Sequence, residues 1–320
     1  MESEVLQGGV AMTDIANVIA VSPIAGAKPG SRMKISIVTP SFNQGNYIEE
    51  TIKSVLCQQG DFFIDYVIMD GGSTDNSIEI IRRYDNLLKG GALPVKCKGI
   101  RYRWVSEKDD GQADALNKGF AAAEGDIGAW LNSDDVYSDC GVLDRVRKYF
   151  QSGDIDLLIG NGTLIDEKGN FIGDYRTDSV DLKELLFLDY HILQPSAFLK
   201  MGYYGSSPFD HSMVYCFDVE FYIGLLLNNI KFRKVDDVFS SFRIYPGIKT
   251  LSGLEKRYRE FMTIEKKFSA DALSIFLSRM YKYLSVVTFI RYGRFYPVRL
   301  LSGLVNKVFY KLIVGTWGRK

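Results

Sequence analysis

Short apolar, β-branched runs alternate with stretches of helical periodicity over the first 140 residues. The runs have the length and composition of strands buried in a sheet. They predict strands at 34–39, 66–69, 101–105 and 127–131. The apolar spacing between them predicts helices at 48–56, 78–84 and 112–123. Strands that alternate with helices predict an α/β fold, in which helices cover both faces of a mostly parallel sheet.

The pattern changes after residue 140, where turn signals come closer together. Two short strands are predicted at 155–159 and 163–165, with an Asn-Gly turn between them and a Lys-Gly-Asn turn after the second. A helix at 217–228 and an extended segment at 231–244 follow.

Composition narrows the class of protein. The chain has 320 residues, 46% of them hydrophobic, which is enough for one large α/β domain with appendages or for two small domains. Its formal net charge of zero predicts no nucleic-acid partner. Four scattered cysteines without a CxxC pair predict neither a zinc site nor a disulfide framework, as in a reducing compartment. No apolar run is long enough to predict a membrane-spanning helix. Residues 1–32 do not resemble a signal peptide and are expected to be a disordered leader or a cloning remnant.

Residues 251–320 are expected to form a helical, basic and amphipathic C-terminal region. From residue 271 onward, nine Lys and Arg residues accompany a single acid, Asp271, with apolar and aromatic residues between them. Such a pattern is typical of peripheral contact with an anionic membrane. A helical hairpin that packs on the main domain and keeps its charged face in solvent would give the same pattern.

Polar clusters follow the predicted strands and open one later helix. They lie at 39–43, 70–75, 106–114, 132–135 and 218–220. Because the carboxyl ends of parallel strands meet at one edge of a sheet, we expect the clusters that follow strands to converge. Helix capping explains some of these acids but not all of them. The adjacent Asp134 and Asp135 predict a site for a divalent cation and a diphosphate, since Mg²⁺-type ions prefer oxygen ligands and share them with phosphates.

Four motifs in this order resemble those of the family 2 glycosyltransferases, which are inverting enzymes with the GT-A fold. They are SIVTPSFN at 36–43, MDGGSTD at 69–75, DGQADALNKG at 110–119 and WLNSDD at 130–135. The resemblance extends over about residues 34–250. It implies a nucleotide-sugar-binding half at 34–140 and an acceptor-binding half at 141–250 of one GT-A domain.

The resemblance implies roles for residues of the first half. Asp134 matches the metal-ligating aspartate of the DxD motif, Asp135 is implied as a second metal residue beside it, and the implied cofactor is Mn²⁺ or Mg²⁺. Asp70 resembles the aspartate that accepts a hydrogen bond from the nucleotide base, usually uracil. The nucleotide-sugar-binding residues implied in this way are Pro40, Ser41, Asn43, Asp70, Gln112, Asp114 and Asp134.

The resemblance also implies roles for residues of the second half. Asp218 lies where the family places its general base. The acceptor side corresponds to Gln194, Pro195 and Glu220. A late segment that closes over the diphosphate corresponds to Arg243 and Lys249.

The chain departs from the family pattern at four positions. The first carboxylate of the DxD motif is replaced by the amide of Asn132. Many relatives have Arg at the position of Leu116 and His at the position of Tyr245. Many also have an acid where this chain has Phe217. These differences affect the metal shell and the neutralisation of the diphosphate, while Asp70, Asp134 and Asp218 remain in place.

The reaction implied by the resemblance is a single in-line displacement on a nucleotide sugar, with a UDP-sugar as the expected donor. The diphosphate leaving group needs no general acid when a metal neutralises its charge, and the acceptor hydroxyl needs one carboxylate base. The basic tail favours a lipid-linked saccharide acceptor in polysaccharide biosynthesis, at the cytoplasmic face of a membrane.

Two alternatives to a glycosyltransferase remain: a nucleotidyltransferase and a non-catalytic nucleotide- or glycan-binding relative. A dinucleotide-dependent oxidoreductase would need GxGxxG after the first strand, where this chain has Thr-Pro-Ser-Phe-Asn.

Overall fold

The computed structural model describes residues 32–177, 180–182, 185–186, 192–249 and 253–268. Within these ranges the strands are β1 (Lys34–Ser41), β2 (Phe63–Asp70), β3 (Gly99–Ser106), β4 (Ile127–Trp130), β5 (Val136–Tyr137), β6 (Leu157–Ile165), β7 (Phe171–Tyr175), β8 (Ala197–Lys200) and β9 (Phe232–Arg243). The helices are α1 (Ile48–Leu56), α2 (Ser77–Lys89), α3 (Gln112–Ala122), α4 (Val142–Ser152), α5 (Phe217–Leu227) and α6 (Leu254–Phe268). Each strand and helix predicted for the first 140 residues overlaps an element of the same type.

The strands described above form one sheet, in the order β3-β2-β1-β4-β8-β6-β9-β5, with β7 beside β6. β3, β2, β1 and β4 are parallel neighbours, so their carboxyl ends lie along one edge. β8 runs antiparallel to both β4 and β6, whereas β6 and β9 are parallel. The predicted α/β fold with a mostly parallel sheet is confirmed.

Two apolar cores lie on the two faces of the sheet, because side chains alternate between the faces along a strand. Ile35 and Ile37 of β1 belong to the core that includes α1, α2 and α4. Val38 belongs to the core that includes α3, α5 and α6. A strand buried on both faces therefore reads as a continuous apolar run, which is why β1 and β4 are visible in the sequence.

The prediction of two short strands around residue 160 is wrong, since the single strand β6 spans this region. Asn161 and Gly162 lie inside β6, where the pairing with β9 shifts its register. A Cβ atom on Gly162 would lie 2.1 Å from the side chain of Leu193, so this glycine permits close packing and makes no turn. The Lys-Gly-Asn turn is confirmed between β6 and β7, where Gly169 has a φ of 83°.

The cysteines, which predict no disulfide framework, nevertheless form one disulfide. Cys57, at the end of α1, is bonded to Cys140, which precedes α4. The buried side chain of Gln58 joins the same two segments, because its amide donates to the Asp139 carbonyl (2.6 Å) and accepts from the Leu143 amide (2.9 Å). The two cysteines are 83 positions apart, and their proximity depends on tertiary structure that spacing does not reveal.

Among the described residues, no helix has the length and apolar character needed to cross a membrane. The basic tail predicted from residue 271 and the leader up to residue 31 lie outside the described residues.

Candidate active site

A cleft of about 870 Å³ opens at the carboxyl edge of the parallel strands. We call one side the sheet wall; most residues of the segments 40–44, 71, 108–115 and 130–134 line the cleft on this side. We call the other side the helix wall; it is formed by the segments 215–219, 242–249 and 257. The loop 192–195, together with Leu164 and Tyr175, completes the lining.

The register of the sheet brings the first polar clusters together. Ser41, Asp70 and Ser106 end β1, β2 and β3 and lie side by side. Pro40 and Ser41 line the cleft. The Ser41 hydroxyl is buried and has no hydrogen-bond partner among the described residues. A buried polar group without a partner is costly, so this hydroxyl is suited to a bound ligand.

Asp134 lines the cleft from the segment after β4. The phenol of Tyr245, from the helix wall, donates a hydrogen bond to its Oδ2 (2.9 Å). Burial raises the pKa of Asp134, while the hydrogen bond from Tyr245 and the charge of Arg243 oppose this rise. Burial and the nearby Asp134 charge raise the pKa of Tyr245, so the phenol keeps its proton and remains a donor. Tyr245 thus links the two walls at the carboxylate of the DxD-like motif.

Asp135 points into the protein and does not line the cleft. Its Oδ1 accepts from the Arg243 amide (3.0 Å) and its Oδ2 accepts from the Asn132 side chain (3.2 Å). Burial, followed by the charge of Asp134, raises the pKa of Asp135 well above its ordinary value. Asp135 therefore joins β9 to the segment that follows β4, and it caps no helix among the described residues.

Arg243 is fully buried and is also absent from the cleft lining. Its guanidinium donates to the carbonyl oxygens of Asp134 (2.9 Å), Asp166 (3.2 Å) and Glu167 (3.3 Å), and to the carboxylate of Glu50 (2.5 Å). These acceptors satisfy the buried cation, which would otherwise be costly. Arg243 thus lies behind Asp134, away from the position that a diphosphate in the cleft would occupy.

Asn132 is the centre of a side-chain network. Its carbonyl accepts from Gln112 (2.8 Å), and its amide donates to Gln194 (3.2 Å) as well as to Asp135. Gln194 in turn donates to the Trp130 carbonyl (2.7 Å). A carboxylate accepts but cannot donate, so an aspartate could not make the contacts of the Asn132 amide. The departure from a full DxD motif therefore has a structural reason.

Asp218 is the second residue of α5 and lines the cleft. Its Oδ1 accepts from the Val219 amide (2.8 Å), and a negative charge in a first helical turn is favoured by the helix dipole. The charge of Asp218 acts on Lys249 and partly offsets the burial that lowers the pKa of this lysine. The Lys249 ammonium also donates to Gln112 Oε1 (2.7 Å) and lies 5.4 Å from the Phe217 ring centre. A cation and a carboxylate thus face the same space.

Asp70 and Asn43 lie beside the cleft and not in its lining. The buried Asp70 carboxylate accepts from the amides of Gly72 (3.2 Å) and Ser73 (2.9 Å) and from the Ser106 hydroxyl (2.7 Å). Asn43 has a left-handed φ of 51°, and its amide donates to the Ser73 hydroxyl (2.8 Å). Both residues fix the turn after β2, whose Gly71 reaches the cleft.

Two other predicted residues also lie outside the lining. Asp114 forms an ion pair with Lys118 (3.1 Å) on the same helix. Glu220 is buried and paired with Lys267 of α6 (2.5 Å). Gln112, Gln194, Pro195 and Lys249 line the cleft as the resemblance implies.

The sequence reasoning missed several residues of the lining. Tyr215 and Arg257 belong to the helix wall, and Lys108 and Asp109 belong to the sheet wall. Lys108 and Asp109 lie within the acidic cluster at 106–114 but could not be separated from its capping acids. Arg257 lies in a charged helix in which no spacing marks a functional residue.

No group of three or more His, Cys, Asp or Glu residues is placed to hold a metal ion within the described part of the chain. Asp134 is the carboxylate of the DxD-like motif that reaches the cleft.

Residues 36–207, more than half of the chain, match the sequence family described as glycosyl transferase family 2. The chain belongs to this family. The match includes β1 to β8 and the whole sheet wall, whereas the helix wall begins beyond it.

Two curated relatives are known only as uncharacterized glycosyltransferases. The protein from Nostoc sp. is 36% identical over 142 residues, which are 42% of this chain and 40% of the relative. The protein from Methanocaldococcus jannaschii is 25% identical over 229 residues, which are 70% of this chain and 75% of the relative. The chain therefore matches only about two fifths of the length of the first relative.

Two similar solved structures show the fold. Staphylococcus aureus TarS 1-349 in complex with UDP-GlcNAc has a TM-score of 0.58 and 19% identity, over 79% of this chain and 73% of TarS 1-349. The mannosyltransferase PcManGT from Pyrobaculum calidifontis, in complex with GDP-Man and Mn²⁺, has a TM-score of 0.53 and 13% identity, over 97% of this chain and 93% of PcManGT. The architecture is GT-A-like, as the motif resemblance implies.

Proposed function

We propose that the protein is an inverting glycosyltransferase, which moves a sugar from a nucleoside diphosphate to a saccharide acceptor. The observation that supports this most is the content of one cleft: Ser41, Gln112 and Asp134 on the sheet wall, and Asp218 on the helix wall. A glycosidase would need two carboxylates that flank the scissile bond as acid and base or nucleophile. Here the carboxylates differ in setting, since Asp134 is hydrogen-bonded to a tyrosine and Asp218 lies at a helix start.

The residues fit a divalent metal that is shared with the substrate. Asp134 reaches the cleft, and Mg²⁺-type ions are commonly held by one or two carboxylates together with substrate phosphates. Asp135 is occupied by the Arg243 amide and Asn132, so Asp134 is the residue that would hold the metal. When bound, the metal would neutralise charge on the diphosphate.

Asp218 is the proposed general base. It would accept the proton of the acceptor hydroxyl as the oxygen attacks the anomeric carbon, and the bond from that carbon to the diphosphate would break on the opposite side. Such a displacement inverts the anomeric configuration. The Lys249 ammonium, which Gln112 holds beside Asp218, would attract the anionic leaving group.

The neighbours support a nucleotide-sugar donor without identifying it. TarS 1-349 is bound to UDP-GlcNAc and PcManGT is bound to GDP-Man. We propose a UDP-sugar with Mn²⁺ or Mg²⁺. Asp70 is the residue proposed to recognise the base, and its position next to Gly71 of the sheet wall supports this role.

The acceptor is proposed to be a saccharide linked to a lipid, with the protein at the cytoplasmic face of a membrane. This proposal depends on the basic, aromatic composition of residues 271–320. Flotation with anionic liposomes, with and without residues 271–320, tests it. Equal flotation of the two proteins would contradict it.

Turnover of nucleotide sugars tests the proposed function. The full chain is incubated with UDP-, GDP- and dTDP-sugars, a saccharide acceptor panel and Mn²⁺, and nucleoside diphosphate release and the anomeric configuration of the product are measured. We expect release from one nucleotide class and an inverted product. Pyrophosphate release would instead indicate a nucleotidyltransferase, and nucleotide binding without turnover would indicate a non-catalytic relative.

A further inference from the structure

Helix α6 contacts the start of α5 through one buried carboxylate. Glu260 is 8% exposed. Its Oε1 accepts from the Val214 amide (2.8 Å), and its Oε2 accepts from the amides of Tyr215 (2.7 Å) and Cys216 (3.0 Å). Three consecutive backbone donors therefore share one side chain from a helix more than 40 residues further along the chain.

These three amides directly precede α5. The N-cap residue of α5, Cys216, makes no side-chain cap. The first amides of a helix have no partners inside it, and a negative charge at this end is favoured by the helix dipole. Hydrogen bonds to a carboxylate are stronger than neutral ones. Glu260 thus caps residues 214–216, the backbone that leads into the first turn of α5, from α6.

We propose that Glu260 is a positioning residue for the reaction, which fixes the backbone that places Asp218 at the cleft. This inference depends on the proposed role of Asp218 as the base. Asp218 lies two residues after Cys216, and Tyr215, Cys216 and Phe217 also line the cleft. A shift of about 1 Å in a reacting group can cost about 10²-fold in rate. Relaxation of residues 214–216 would move the base directly.

Helices α5 and α6 share a second contact, which can be removed as a control. It distinguishes a positioning role of Glu260 from the packing of α6 on α5. Lys267, near the end of α6, is paired with Glu220. The apolar residues Phe261, Ile264 and Phe268 of α6 belong to the core that also contains α5. Removing the ammonium of Lys267 therefore weakens the contact between the helices without changing the cap on residues 214–216.

The test compares Glu260→Gln and Glu260→Ala with the matched control Lys267→Met in the full chain. The readouts are kcat, KM for the acceptor, nucleotide affinity by calorimetry and amide hydrogen exchange at 214–216. We expect kcat to fall with each lost acceptor oxygen, to about 10²-fold for Glu260→Ala. Nucleotide affinity should stay within about twofold, since the sheet wall and the Lys249 side chain are unchanged, and Lys267→Met should keep its kcat.

Several outcomes would overturn the inference. Unchanged kcat in Glu260→Ala would do so, and so would an equal loss in Lys267→Met, which would mean that helix docking is what matters. Should Glu260→Ala fail to fold, the kcat of Glu260→Gln and amide hydrogen exchange in the wild-type protein decide the question. Fast hydrogen exchange of the 214–216 amides in the wild type would contradict the cap. Absence of transfer in the wild type would overturn the proposed function, whereas transfer that needs Asp218 but not Glu260 would overturn this inference alone.

Discussion

The two walls of the cleft are held in place in different ways. On the sheet wall, Pro40, Ser41 and Asp134 lie within a few residues of a strand end, and neighbouring parallel strands fix their positions. On the helix wall, Asp218 and Lys249 depend on contacts between distant segments, such as Glu260 with residues 214–216. Base catalysis therefore depends on the helix wall, whereas donor binding depends mainly on the sheet wall, with Lys249 as the helix-wall residue proposed to reach the nucleotide. The base can then be removed while the sheet wall that binds the donor remains.

The largest expected effect concerns the helix wall. Asp218→Asn removes the proposed base but leaves the sheet wall unchanged, so kcat should fall by about 10²–10⁴-fold. Nucleotide affinity, measured by calorimetry, should match that of the wild type. The control is Asp210→Asn, which changes a carboxylate outside the cleft lining and should keep full turnover. Normal turnover in Asp218→Asn would show that Asp218 is not the base. It would also contradict the assignment of base catalysis to the helix wall.

The second effect concerns the support beneath the sheet wall. The disulfide between Cys57 and Cys140 closes a loop with a sequence separation of 83 and joins α1 to the segment after β5. Disulfides of this kind typically contribute about 2–4 kcal/mol to the free energy of unfolding. Cys57→Ser should therefore lower stability in urea by about this amount, whereas Cys97→Ser, which affects a cysteine without a disulfide, should not. Equal stability of the two variants would contradict the disulfide as a support.

The smallest effect concerns the contact between the walls. Burial lowers the pKa of Lys249 below its ordinary value of 10.5, although the charges of Asp218 and Glu260 oppose this. The lysine is charged below its folded pKa and neutral above it, so nucleotide affinity should fall as the pH rises toward 10.5. Lys249→Met should weaken nucleotide binding about tenfold at neutral pH, equivalent to about 1.4 kcal/mol, and should lose the alkaline fall. A wild-type affinity that does not change with alkaline pH would argue against contact between Lys249 and the nucleotide.

The sequence predicted the sheet wall more completely than the helix wall. Strands buried on both faces and the motifs after them are local patterns, so β1 to β4 and the convergence of Ser41 with Asp70 could be derived from a few residues each. The resemblance implies that Arg243 lies over the diphosphate and Asp135 at the metal, whereas the structure places both in a buried network behind Asp134. Asp135 and Arg243, which are hydrogen-bonded to each other, are 108 positions apart, and no local pattern encodes such pairing.

Contacts between segments that are distant in the sequence also explain the other differences between prediction and structure. In the sequence Asn132 is a departure from the DxD motif, whereas in the structure its side chain is both donor and acceptor of hydrogen bonds. The Asn-Gly pair predicts a turn at Gly162, whereas this glycine permits close packing with Leu193. The roles of Glu260 and of the disulfide depend on which segments meet in space, and the sequence alone contains no signal for either.

Calorimetry of nucleotides tests the central claim most directly. Wild type, Asp134→Ala and Asp218→Asn are titrated with UDP, GDP and dTDP, each in Mn²⁺ and in EDTA. We predict that one nucleotide binds the wild type in a metal-dependent way, that Asp134→Ala loses this metal-dependent binding, and that Asp218→Asn binds as the wild type does. Normal affinity in Asp134→Ala, or no binding of any nucleotide to the wild type, would contradict the account of this cleft as a nucleotide-sugar site.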